Sequence, residues 1–435
     1  MMRVVVVGGG FGGLAAAARL AKQGHQVTLL ESRSAVGGAV GFVEQDGFRW
    51  DAGPTRTLLP AVIRDLFRKS GRAVEKELEL VAVDPVHQHW FTDDTRLDLP
   101  GGSRAAQVQA IGESLGDKAA QQWIAYVDEL NEPWEILRKE WFERPYAADH
   151  VSKAAADLLG SRLTMHKHVQ KHFKKDERLQ QLALDHVVIE GHNPRDVPWW
   201  HGAWHYVEQN FGAWTVPGGM GALTEALVRR LETRGVTVFT DTPVLDLVVE
   251  SGRVRGVRTA SGPHDADVVV VAIDPRRLPA LAEYVARTMP AIPPVTAHIG
   301  VVGDVPELPS EVVLHGDPQL ILRTTGTAPE GAHAWTLLGR GRLAEDIVTA
   351  LARKGIRIRD QVETRVDLSP KDLVEQWGGS PVGVLWQGRA TVTRRLGPDT
   401  PIPGVYQVGA HAKPGAGLAA VGLSAAQVAA LIGPA

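Results

Sequence analysis

The chain has 435 residues and not one cysteine. Disulfides, thiolate metal sites and thiol nucleophiles are therefore excluded. It also lacks any apolar run near the roughly 18 residues that a bilayer-spanning helix needs. Neither sign of charge is in excess, with 47 Lys+Arg against 50 Asp+Glu and a formal net charge of −3. That balance gives no general pull toward nucleic acid, and no nucleic-acid partner is expected. A strand pattern opening at Arg3 leaves no secretory leader ahead of it, so a cytoplasmic protein is expected. Methionine and tyrosine are scarce at five each, while tryptophan is plentiful at 12. The length exceeds one simple core, so two or three lobes are expected.

Glycine is what the chain has in abundance, 46 residues in all. The most telling ones follow Arg3-Val4-Val5-Val6-Val7, a strand pattern suited to burial on both faces of a parallel sheet. Gly8, Gly10 and Gly13 then fit G-x-G-x-x-G. In that motif one glycine makes the tight turn, one admits a pyrophosphate, and one lets helix and strand pack closely. Leu14 to Leu20 forms helix readily, and its free N–H groups would face the pyrophosphate. Val27 to Leu30 reads as the second strand and ends in Glu31. That carboxylate lies about 20 residues past the glycines, where a ribose hydroxyl needs an acceptor. The order of strand, glycines, helix, strand and acid points to a dinucleotide site.

Further along, Leu58, Leu59, Val62, Ile63, Leu66 and Phe67 recur at helical spacing. Short strands fill 77–100, and 103 to about 190 reads as a polar, helical stretch. Within it Met165, Val169 and Phe173 share one face of a basic helix. Such a helix suits either an anionic membrane surface or its own lobe, with the lysines solvated. The three histidines at 166, 168 and 172 do not share one face, and no metal site is expected. His201 and His205 stand four apart but lack an evident third ligand. Trp199, Trp200, Trp204 and Tyr206 suit either a substrate-pocket wall or an aromatic core. Apolar–polar alternation over 290–366 suits a half-buried sheet. Gly339-Arg340-Gly341-Arg342 within it mimics a second dinucleotide loop but follows a mixed strand and precedes a short helix.

Three further stretches carry a resemblance. Glu31 with Arg33 and the pair Gly37-Gly38, then Gly47-Phe48-Arg49-Trp50-Asp51-Ala52-Gly53-Pro54, resemble the flavoprotein amine oxidases and their carotenoid (phytoene) desaturase branch. Phe211 to Gly221, with Val216-Pro217-Gly218-Gly219-Met220 at its centre, is similar to the turn that returns those chains to their FAD domain. Pro403 to Gly417, followed by the small-residue helix Leu418–Ile432, is similar to their closing motif. The resemblance implies FAD, with Arg33 along its adenosine half and Gly37-Gly38 near the pyrophosphate and ribityl chain. Asp51 and Gly53 would stand near the flavin, although Asp51 before Gly-Pro is equally suited to a turn. Val244 would offer its backbone to the adenine, and Gly409, Ala410 and Gly417 would hold the flavin end. His411-Ala412-Lys413 departs from the family pattern by bringing two groups able to carry positive charge.

The fold expected is α/β, a Rossmann-type FAD-binding domain interrupted by a mixed-sheet substrate domain and a helical lobe. Residues 1–76, 211–289 and 386–435 would form the FAD-binding domain. Strands in 77–102 and the sheet of 290–385 would form the substrate domain, with 103–210 as the lobe. The activity implied is that of an FAD-dependent desaturase or dehydrogenase, in which flavin N5 accepts a hydride from a substrate C–H bond. A flavin amine oxidase, a flavin-dependent isomerase without net redox, and a nonenzymatic flavin carrier are the alternatives. No acid–base dyad or nucleophile stands out, so catalytic residues stay unassigned. The substrate is expected to be a small apolar or aromatic molecule, with oxygen or a quinone as acceptor and peripheral membrane contact left open.

Overall fold

A computed structural model describes residues 1–147 and 150–435. Arg3–Val7 is the middle strand of a five-stranded parallel sheet. Gln26–Leu30 and Val268–Val271 flank it, and Thr237–Phe239 and Val405–Gln407 lie at the edges. Val4 to Val7 are all buried, as a strand covered on both faces requires. Each of those valines contributes about 2 kcal/mol through burial alone. The helices Phe11–Lys22 and Leu418–Ile432 pack together on one face of this sheet. Ala15 to Ala18 let them approach closely, and all four are fully buried.

The strands of this sheet come from three separated stretches of chain, and the intervening residues build two other bodies. One is a seven-stranded mixed sheet, from Val362–Leu368 at one edge to Arg96–Leu99 at the other. Its pairings are antiparallel except where Glu311–Leu314 runs parallel to His87–Trp90. The other is a lobe between Arg104 and Phe211 that carries helices and no named strand among the described residues. Met165, Val169 and Phe173 are buried in this lobe, so the basic helix Met165–Phe173 spends its apolar stripe internally. The chain also forms a three-stranded antiparallel meander, Val244–Glu250, Arg253–Thr259 and Gly262–Asp265, and two short strand pairs. Among the described residues no helix is long and apolar enough to cross a membrane.

Gly339 and Arg340 end an antiparallel strand, Ala332–Arg340, and the next helix begins only at Ile347. This segment is an ordinary turn and lacks the parallel-strand setting of a nucleotide loop.

Candidate active site

The first loop is built by three glycines for three different reasons. Gly8 turns the chain at φ +99°, and its N–H donates to Leu30 O at 2.8 Å. A Cβ at Gly13 would lie 1.9 Å from Gly8 O, so only glycine lets the helix start this close to the strand. A Cβ at Gly10 would meet no atom within 4 Å, because Gly10 faces open space. No side chain caps the N-terminus of the Phe11–Lys22 helix, which leaves its free N–H groups for an anion. Glu31 braces the loop from behind. Its carboxylate accepts from Gly9 N at 2.7 Å, Arg33 N at 2.9 Å and Ser32 Oγ at 3.2 Å. Gly37, at φ +122°, donates to Gly9 O at 2.8 Å and draws the second glycine turn against the first.

These turns form one end of a cavity of ≈ 360 Å³. Gly8, Gly10, Glu31, Arg33 and Gly38 line that end. Asp51 and Gly53 lie on the wall, and Gly409, Ala410 and Gly417 belong to it as well. The helix Leu418–Ile432 opens at Gly417, again with no side-chain cap, so a second set of free N–H groups meets the cavity. Three buried polar atoms on this wall have no partner: His298 Nε2, Trp377 Nε1 and His411 Nε2.

A second chamber of ≈ 290 Å³ shares Pro54, Glu190, Arg323, Gly417 and Leu418 with the first. Its wall is dense with ionisable groups. Arg56 and Arg323 both pair with Glu311, the latter at 2.7 Å. His87 lies between Glu311 at 3.0 Å and Glu208 at 3.2 Å. Burial and Arg56 act against protonation of His87, but the two carboxylates win and raise it to about 9. Arg56, Arg323 and His87 thus offset Glu208 and Glu311, while Asp185 pairs with His186 at 3.6 Å.

Glu190 is outside that balance. It follows the last residue of the helix Glu177–Ile189, and the nearest basic atom is His192 Nε2 at 3.8 Å. Its side chain is 41% accessible, but it is a wall residue of both internal chambers rather than of the outer surface alone. Burial raises its pKa above the usual 4.5, opposed by the charges of His186 and Arg395 and aided by Asp185. His186, one helical turn earlier, lines the same chamber with its Nε2 unpartnered.

The sequence profile of the family described as flavin containing amine oxidoreductase matches residues 11–304. The chain belongs to this family. Over 253 residues it is 28% identical to 4,4'-diapophytoene desaturase (4,4'-diaponeurosporene-forming) of Staphylococcus aureus, covering 57% of this chain and 50% of that protein. The chain thus spans about half the length of the curated relatives it matches. Wild-type putrescine oxidase bound to putrescine superposes with a TM-score of 0.70 at 16% identity, covering 99% of this chain and 98% of that one. Cyclohexylamine oxidase from Brevibacterium oxydans IH-35A gives 0.64 at 15%, covering 99% of both chains. At these identities the likeness shows the shared fold.

FAD is the cofactor of this flavoprotein family, and the cavity suits it. Two uncapped helix N-termini, the open face at Gly10 and three unpartnered polar atoms are features a phosphate-bearing, polar-edged ring system can satisfy. Not every residue named from the sequence lies on the cavity wall. Val244 is off the cavity wall and packs against the core, while Asp241 and Thr242 donate to Arg33 O and Glu31 O. Gly13 and Gly37 act through packing and turn geometry and are not on the wall either. Asp51 does line the cavity, but its Oδ1 also accepts from Gly221 N at 3.0 Å and so anchors the helix Gly221–Thr233. His411 is on the wall, yet burial lowers its pKa to about 4, leaving it neutral near pH 7. Lys413 is off the wall and lies over the Tyr146 ring at 5.5 Å. Of the two groups able to carry positive charge, His411 is thus on the wall and neutral, and Lys413 is off it.

The aromatic segment is divided. Trp200 is buried in a hydrophobic core, while Trp204 lines the second chamber. Sequence reasoning missed Glu190, Glu208, Glu311, Arg56 and Arg323, since nothing in the local pattern unites them. Only the four-residue spacing of His186 and Glu190, at the end of one helix and just past it, could have hinted at a shared wall.

Proposed function

We propose that this flavoprotein dehydrogenates a small polar molecule bound in the second chamber, next to the flavin end of the first. The observation that carries the reading is the shared wall: Gly417, Leu418, Glu190 and Arg323 border both spaces. Bound FAD would supply a two-electron acceptor for a hydride leaving a substrate C–H bond. When a C=C or C=N bond forms this way, a proton must leave the neighbouring atom. Glu190 is the group we assign to take it, as a carboxyl with a raised pKa and no paired cation. Arg323 is held by Glu311 and by Gly53 O at 2.8 Å, which fixes its guanidinium at the border of the two chambers.

The expected apolar or aromatic substrate fits this chamber poorly. Burying a hydrocarbon against Glu208, Glu311, Asp185 and Arg56 would strip those groups of water without replacing it. A polar substrate replaces those hydrogen bonds. Oxidation of an amine is the second reading, favoured by the one carboxyl left outside the chamber's charge pairs, where an ammonium group can dock. Oxygen or a quinone is the acceptor we propose. Purified protein should be yellow with bound flavin, and anaerobic bleaching by polyenes, amines and amino-acid-derived compounds would identify the substrate class. Peroxide formed with primary amines would select the amine reading, and colourless protein without flavin affinity would end both.

A further inference from the structure

Away from the flavin cavity, the helical lobe brings together three groups that no part of the proposed reaction uses. Spacing alone offers His166, His168 and His172 with no common face; the structure selects two of them and adds an acid from 39 residues earlier. His168 and His172 stand one turn apart on the helix Met165–Phe173, facing Glu129 at the end of the helix Asp117–Glu129. His168 Nε2 is 3.3 Å from Glu129 Oε1, and His172 Nε2 is 2.8 Å from Glu129 Oε2. One ligand atom from each of the three lies within 4.8 Å of the other two. We propose that Glu129, His168 and His172 bind a divalent transition-metal ion, best suited to zinc, that clamps the two helices of the lobe.

The contact between His172 and Glu129 is short but is not a hydrogen bond. His172 Nε2 is buried and has no hydrogen-bond partner, although the carboxylate oxygen is 2.8 Å away. The nitrogen is therefore not aligned on that oxygen, as donors are not aligned on one another when they share a central ion. Zinc at about 2.0–2.2 Å from nitrogen and oxygen ligands places them about 3.4 Å apart in a tetrahedron, within the spread seen here. Both rings are already held in place. His168 packs at a tilt against Trp199 at 4.8 Å, and Tyr126 packs on His168 at 5.3 Å and on His172 at 5.5 Å. Glu129 is 38% exposed, which gives the ion an entry path and leaves a fourth position for water.

Two imidazoles and a carboxylate favour zinc over magnesium or calcium, which prefer all-oxygen sites. Two features limit the affinity. Lys171 Nζ lies 3.9 Å from Glu129 Oε1 and competes for the carboxylate, although its side chain is largely exposed and free to turn away. His168 Nδ1 has no partner to orient the ring, an omission that typically costs 10–100-fold in metal affinity.

The test uses the flavin-loaded full chain, cleared of metal with chelator and then given zinc. After desalting, atomic emission should count bound zinc, and competition with a chromophoric chelator should give its affinity. Wild type is expected to retain one zinc per chain that Glu129→Gln weakens by about 10-fold or more and His172→Asn removes. Magnesium and calcium should not compete, and zinc should raise the melting temperature of wild type but not of His172→Asn. Failure of wild type to retain zinc, or equal retention by wild type, Glu129→Gln and His172→Asn, would overturn the proposal. Glu129 is partly exposed, so its amide variant keeps the fold and the comparison stays informative.

Discussion

Replacing Glu190 with glutamine should make the protein more stable and much slower. The residue immediately follows the last turn of the helix Glu177–Ile189, where the partial charge of the helix end is negative. A carboxylate there costs about 0.3–1 kcal/mol, reduced by any water in the chambers, and burial acts in the same direction. Glutamine keeps the shape and removes the charge. With an unfolding entropy near 2.1 cal/mol/K per residue, 435 residues give about 0.9 kcal/mol/K, so the melting temperature should rise by about 1 °C or less. The pH dependence sharpens the test. Glu190 has a folded pKa raised above the ordinary 4.5, so below pH 4.5 it is protonated in both states and the variants should match. Above its folded pKa the wild type carries the full penalty, and the gap should open as pH rises between those limits. Turnover of the substrate found by anaerobic bleaching should fall by about 10²–10⁴, the usual contribution of a general base. Scanning fluorimetry from pH 4 to 9 and stopped-flow flavin reduction give the two readouts. A variant that is less stable at neutral pH, or that turns over like wild type, would refute the assignment of Glu190.

Other outcomes follow from the same geometry. Gly13→Ala places a Cβ 1.9 Å from Gly8 O and should abolish flavin retention through misfolding of the loop, whereas Gly10→Ala, with nothing within 4 Å, should fold normally and bind flavin more weakly. Circular dichroism and flavin content per chain separate these cases. Glu31→Gln removes the charge from two backbone hydrogen bonds, one buried and one partly buried, worth about 1.5–3 kcal/mol each at most, and flavin affinity measured by fluorescence quenching should drop by about 10-fold or more. His87 is held protonated up to about 9, above its ordinary 6.5, so its stabilising effect is complete below pH 6.5 and is lost as pH rises through about 9. Denaturant titrations of wild type and His87→Gln should therefore differ most at acidic and neutral pH and converge in alkali.

The nucleotide loop was legible because its determinants are consecutive. A strand, three glycines, a helix and an acid lie within the first 31 residues, and each works through neighbours in sequence. The closing helix was legible for the same reason, since Leu418–Ile432 is a continuous small-residue run after a glycine turn. The chamber was not. Arg56, Glu208, Glu311 and Arg323 meet only once the sheet and the lobe are assembled, and each alone reads as a solvated charge. Asp51 shows the same limit. Its hydrogen bond to Gly221 spans 170 residues, so its part in anchoring a distant helix leaves no local trace. The tryptophan cluster could be read either way because neighbouring rings turn to opposite sides, Trp200 inward and Trp204 toward the chamber.

The central sheet takes its edge strand Val405–Gln407 from a stretch far along the chain from Arg3–Val7, and the helix after it lies on the one formed by residues 11–22. The nucleotide cradle at residues 8–13 therefore cannot close until residues 405–432 have been synthesised and released. Until then the opening helix exposes its alanine face, and the half-made sheet presents Val268–Val271 as a bare edge to any passing strand. Cofactor loading consequently waits on a segment far along the chain from the glycine loop, and chains truncated before Val405 should emerge colourless and prone to aggregate.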